Sequence, residues 1–255
     1  MSMRPIIFTV MFFLCAVLAP PSAFAQYDLK NERVQEHLIL KRYIQNKYLY
    51  QKRLIEVLEY YNGRPGTYPI YKLIEPYIRG EFYDPFGEKT IDELYELAYI
   101  ADSADDPDTS ARAAEDFKTV LKWHYPNYTI LRKAIPLVRE NAALGDAKLL
   151  QWMQNLLVQR LLKSGNGQVL NTAYQIFSLE EENLILSHHN VKVINTEVIN
   201  NGREYYHIHL VEDRETGKPF KIYTRLSEVM QRIFDLKKEK NPNYTYPLGL
   251  PDNFE

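Results

Sequence analysis

The chain has 255 residues, 31 basic and 33 acidic side chains, a formal net charge of −2 and a single cysteine. That balance leaves no electrostatic footprint for nucleic acid or an anionic membrane. One thiol also excludes a disulfide framework and a cysteine-ligated zinc site, so the protein must fold through packing alone.

In chain order, the first element reads as an export signal. Arg4 supplies a positive start, Ile6 to Leu18 is almost unbroken apolar sequence, and Ala23-Phe24-Ala25 has the small-x-small form of a cleavage site. The apolar run falls short of the ~20 residues that span a bilayer. Residues 1–25 are therefore expected to be a signal peptide cleaved after Ala25. The product is then periplasmic or secreted and is not an integral membrane protein. Cys15 is preceded by Phe12-Phe13-Leu14 rather than by the small residues of a lipidation site. It leaves with the signal, and the mature chain is cysteine-free.

From Gln26 to about Tyr61, apolar residues at Val34, Leu38, Ile44, Tyr48, Ile55 and Leu58 recur at helical spacings and predict one or two helices. Asn62-Gly63-Arg64-Pro65-Gly66 ends them. A short helix follows over 70–78. Thr90 with Glu93 forms a capping-box pattern opening a helix to about Asp102, and residues 101–108 read as an acidic loop. Three helices come next, over about 110–124, 127–142 with Pro136 inside it, and from an Asp146 cap to Lys163. The chain then changes character at Ser164-Gly165-Asn166-Gly167. Tyr174 to Phe177 reads as a strand, and Ser178 with Glu181 as a second capping box. Val191–Ile199 and Glu204–Glu212 form a hairpin about Asn200-Asn201-Gly202-Arg203. A third β-run covers 220–224, and a last helix runs from Ser227 to about Lys238. The organisation expected is α+β: a helical region over 26–164, a small α+β domain over 165–240 with an antiparallel sheet and flanking helices, and an extended tail over 241–255.

Two stretches resemble known families. Pro126-Asn127-Tyr128, the following amphipathic helix, Leu144-Gly145-Asp146 and the next helix resemble a tetratricopeptide-type helical hairpin. Ser164-Gly165-Asn166-Gly167, Thr172-Ala173-Tyr174 and Glu180-Glu181-Glu182 resemble the exported bacterial family termed domain of unknown function 4919. Asn166 stands where that family usually has Asp. The resemblance covers about residues 68–236. It implies tetratricopeptide-like helices ahead of a small sheet and an exported location, and it carries across no catalytic residues.

Of the side chains able to carry chemistry, His207 and His209 stand out. At i and i+2 on a strand they share one face, with Tyr206, Ile208 and Leu210 expected on the core-facing side. Two imidazoles side by side can hold a divalent metal, and His188 and His189 lie close enough in sequence to join them. The run Glu180-Glu181-Glu182 is expected to serve the start of its helix, through the capping box and the helix dipole. No nucleophile elbow, Ser-x-x-Lys, His-Glu-x-x-His or phosphate-binding loop occurs, so no catalytic residue or organic cofactor is assigned. The 20 tyrosines suit half-buried surfaces and interfaces. The leading expectation is a non-enzymatic exported scaffold that binds a protein or peptide partner. The alternative is a metal-binding protein or metal-dependent hydrolase using His207 and His209.

Overall fold

The computed structural model describes residues 23–202 and 204–240, with side chains from Lys41 to Lys238 except Arg203. The signal segment expected over residues 1–25 and the extended tail from residue 241 lie outside this range, apart from Ala23 to Ala25. Among the described residues, those up to Gln45 and those from Asn46 onward fall in separate compact units, and the apolar core and the sheet belong to the second. Among the described residues the fold is α+β, with eight α-helices and one four-stranded sheet. No described helix is long and apolar enough to cross a membrane.

Helix α1 (Ala23–Tyr61) is one continuous helix. Its buried face is not the one expected. Tyr50, Leu54 and Val57, at i, i+4 and i+7, enter the core, while Tyr48 and Ile55 are 71% and 61% exposed. The helix carries apolar residues on two faces, and burial chooses between them. Helix α2 (Tyr71–Ile78) adds Leu73, Ile74 and Tyr77 to the same core.

Helix α3 (Glu88–Ser103) begins after Gly87 with no side-chain cap. The Thr90–Glu93 capping box does not form, because Thr90 already lies inside the first turn and is buried. Most of the expected acidic loop over 101–108 is helical as well. Asp106 caps helix α4 (Pro107–Trp123) by accepting from the Asp108 and Thr109 amides, and Pro107 occupies the first helical position, where its missing N–H costs nothing. Asn127 caps helix α5 (Tyr128–Glu140), which runs through Pro136. Asp146 caps helix α6 (Ala147–Lys163). Helix α3 packs on α4 and on α5, and α5 packs on α6, around Leu54, Leu73, Phe117, Leu131 and Met153.

A second apolar cluster begins at Leu161, near the end of α6, and gathers Tyr174, Ile176, Ile185, Val211, Ile222 and Phe234. These come from β1 (Tyr174–Gln175), helix α7 (Leu179–His188), β3 (Tyr205–Asp213), β4 (Pro219–Arg225), helix α8 (Ser227–Lys240) and the segment after β1. With β2 (Val191–Asn200) the strand order is β1-β4-β3-β2. The β2–β3 and β3–β4 pairings are antiparallel, as expected, but β1 joins β4 in parallel, so the sheet is mixed. The Tyr83 hydroxyl donates to the carbonyl of Phe177, which packs on the first cluster, and Arg232 Nε of α8 donates to the Tyr83 carbonyl.

The Ser164–Gly167 turn is knotted to Thr172–Tyr174. The Asn166 and Gly167 amides both donate to the Thr172 carbonyl, and Asn166 Oδ1 accepts from the Thr172 hydroxyl at 2.6 Å and from the Gln168 amide. A carboxylate could accept the same pair of bonds. At Gly165 a Cβ would lie 2.4 Å from the Thr172 carbonyl oxygen, and at Gly167 (φ +67°) it would lie 2.7 Å from the Tyr174 ring. Only glycine fits either place.

Where α2, α4 and α5 meet, the buried Tyr77 hydroxyl sits 3.3 Å from His124 Nδ1 and accepts from Asn127 Nδ2, which also donates to the Asp84 carbonyl. Burial holds His124 down at about 4, against a smaller upward pull from the Asp84 charge. Below pH ~6.5 the unfolded chain therefore takes up a proton that the folded chain refuses. Folding stability should fall between pH ~6.5 and ~4, by up to about 3 kcal/mol from this one group, and level off below. Urea unfolding of the wild type and His124→Gln at pH 7 and pH 4.5 checks this: the variant should lose about 2 kcal/mol less over that step.

Candidate metal centre

Helix α7 opens with Glu180, Glu181 and Glu182. Successive helical residues point about 100° apart, so three adjacent carboxylates must take three different directions. Glu180 pairs with Arg132 of α5. Glu181, only 2% exposed, accepts from Arg160 of α6 at 2.6 Å and from the Phe177 amide at 2.7 Å. Glu182 turns under the sheet. The capping box expected from Ser178 and Glu181 does not form, since the Ser178 hydroxyl makes no cap bond and Glu181 is committed to Arg160.

His207 and His209 do share a face of β3, but it is the core-facing one. Tyr205, His209 and Val211 on that face are buried, while on the other Tyr206 is buried and Ile208 and Leu210 are only partly covered. The histidine-bearing face is therefore the more deeply buried one, and of the residues expected inward only Tyr206 is buried. Two imidazoles are tolerated inward because Glu182 meets them there. His207 Nδ1 lies 2.9 and 3.0 Å from the two Glu182 oxygens, and His209 Nε2 lies 3.0 Å from Oε1. Thr224, the β4 neighbour of His207, donates its hydroxyl to the same Oε1 at 2.5 Å. Thr196, the β2 neighbour of His209, places its hydroxyl 2.9 Å from His209 Nδ1. With both imidazoles donating to Glu182, His209 carries its proton on Nε2 and Nδ1 accepts from Thr196.

Burial would raise the Glu182 carboxyl, but the combined hydrogen bonds and charge from His207, His209 and Thr224 outweigh it and hold the group at about 2. It is an anion at any physiological pH. One donor atom from each of Glu182, His207 and His209 lies within 4.8 Å of the other two. The His207 side chain is 17% exposed and that of His209 is 3% exposed, so the cluster lies at the rim of the core with one side reachable from solvent.

His188 and His189 do not join the cluster. His189 Nε2 is 3.0 Å from the Tyr174 hydroxyl, and its ring stands edge-on to that of His188. Burial, then the nearby His188 charge, lowers His189. The residue that sequence reasoning missed is Glu182. Its signal was helical spacing, because it lies one turn before Ile185, which is fully buried, and so shares the inward face of α7.

No family model, curated protein or solved structure matches the chain.

The two outer carboxylates differ sharply in environment. Arg160→Met leaves Glu181 buried without its cation and should cost about 3–5 kcal/mol. Arg132→Met removes a half-exposed partner of Glu180 and should cost less than about 1 kcal/mol. Chemical denaturation of the two variants against the wild type gives both numbers.

Proposed function

We propose that this is an exported protein that binds a divalent metal ion through Glu182, His207 and His209. The observation that carries the reading is the convergence of one carboxylate and two imidazoles from two elements at 2.9–3.0 Å. Atoms that ligate zinc tetrahedrally at about 2.0–2.2 Å stand about 3.3–3.6 Å apart, so a small outward shift from this hydrogen-bonded spacing would admit the ion. Two nitrogens and one oxygen suit zinc and similar borderline ions better than calcium or magnesium.

Binding asks for a change of tautomer. His207 moves its proton to Nε2 and frees Nδ1. His209 moves its proton to Nδ1, where the Thr196 hydroxyl becomes the acceptor. Thr224 keeps its hydrogen bond to Glu182. Thr196 and Thr224 are thus partners that orient the ligands, as metal sites commonly require. Three protein ligands leave a further coordination position open, and the exposed edge of His207 is the route to it. Export fits the Arg4, Ile6–Leu18 and Ala23–Ala25 pattern. The resemblance to family 4919 implies the same location.

Isothermal titration of zinc into untagged, metal-stripped protein should give one site per chain. Glu182→Gln should weaken it about 10–100-fold, and His207→Ala/His209→Ala should abolish it while the circular dichroism spectrum stays folded. No binding by the wild type, or binding untouched by both variants, rejects the proposal.

A second reading, partner binding by the helical region, is favoured by Tyr95 and Tyr99. They lie one turn apart on α3 and are 46% and 72% exposed, an arrangement typical of interface anchors. It is also what the resemblance to tetratricopeptide hairpins implies. Tyr95→Ser/Tyr99→Ser should leave stability within about 0.5 kcal/mol while removing cross-linked partners recovered from the exported fraction. Unchanged cross-linking rejects this surface.

A further inference from the structure

Among the described residues, strand β2 forms one edge of the sheet and pairs only with β3. Residues 192 to 198 are exposed without a break, and Val193, Ile194 and Val198 among them are 41%, 51% and 59% exposed. A ten-residue strand with an open edge and three exposed branched apolar side chains is a template for another strand. Natural proteins usually deter such pairing with an edge lysine, and Lys192 stands in that role.

The bulge in β2 changes what Lys192 does. The register shifts between Val193 and Asn195, leaving Ile194 without a β3 partner. In an unbulged strand Lys192 and Glu197, separated by an odd number of steps, would point to opposite faces. Here Lys192 pairs with Glu212 and Glu197 pairs with Ile208. Those two β3 residues lie on one face, so Lys192 and Glu197 do as well. By the same register Val191, Val193, Thr196 and Val198 all lie on the opposite, histidine-bearing face.

This makes the edge complementary to itself. In an antiparallel pair of two β2 strands with a two-fold axis between Ile194 and Asn195, Lys192 of each copy faces Glu197 of the other. Val191 faces Val198, and Val193 faces Thr196. Each of these pairs matches in face, both charge pairs are opposite in sign, and the two-fold operation makes each contact twice. An edge lysine that repels a random strand thus attracts this one.

We propose that a second copy of this chain pairs along β2, joining two four-stranded sheets into one continuous sheet across a two-fold axis. The proposal is independent of the metal reading.

The test is sedimentation velocity of the purified chain over a range of concentrations, in EDTA so that no metal bridges two copies. The wild type should dimerise. Lys192→Glu sets Glu against Glu at two places and should weaken association by on the order of tenfold or more. The double variant Lys192→Glu/Glu197→Lys restores both pairs with their signs exchanged and should recover the dimer. Both side chains concerned are on the surface, and circular dichroism confirms that each variant is folded. A wild type that stays monomeric at hundreds of micromolar overturns the proposal. So does a dimer indifferent to Lys192→Glu, or a loss that the double variant fails to reverse.

Discussion

A carboxylate placed beneath a β-sheet has to be matched by donors on every side, and Glu182 is matched by two imidazoles and a hydroxyl. The donors come from β3 and β4, and Thr196 of β2 holds His209 in turn. One side chain of α7 therefore engages all three long strands. Its two neighbours reach the other way: Glu181 to Arg160 of α6, and Glu180 to Arg132 of α5. The start of α7 is where the helical cluster and the sheet are charge-matched to one another, and removing Glu182 would leave two inward histidines without an acceptor. The same matching that stabilises the fold assembles the donor set of the candidate centre.

The turn at Ser164–Gly167 serves the same junction. It stops α6 just beyond Leu161, which already belongs to the sheet's apolar cluster. It then fastens the chain to Thr172 so that Tyr174 can enter the sheet. The Gly167 carbonyl also accepts from the Tyr223 amide of β4. The knot and the glutamate run of α7 are both joints between the helices and the sheet.

Much of the fold is legible in the sequence, and the exceptions have physical causes. Asp146 and the Asn201-Gly202 pair act locally, and they mark an element start and a hairpin within a residue or so. Asp106 acts just as locally but is hidden in an apparent loop, because an acidic stretch containing proline looks like a breaker when the proline is in fact at the first helical position. The buried face of α1 is misleading because Tyr48 and Ile55 repeat at helical spacing as faithfully as Tyr50, Leu54 and Val57. Only packing separates the two stripes. The paired histidines are visible at i and i+2, but the face they occupy is not. A polar face turns inward only if a counter-charge waits there, and Glu182 lies 25 residues away. Long-range matching of that kind leaves no periodic trace.

The parallel pairing of β1 with β4 joins Tyr174 to Thr224 and Gln175 to Arg225, positions 50 residues apart. Strand β1 is two residues long and has nothing to pair with until β2, β3 and β4 have followed it and the hairpins have closed. Helices α3 to α6, by contrast, are made of neighbours in sequence and can assemble as soon as they are available. Contacts between distant positions form slowly, because chain entropy is lost before they are made. The topology therefore favours one order of folding, with the helices first, the hairpins next and β1 last. The Glu182 donor set comes together only once the strands are in register, so a metal ion added to the unfolded chain would meet its ligands late.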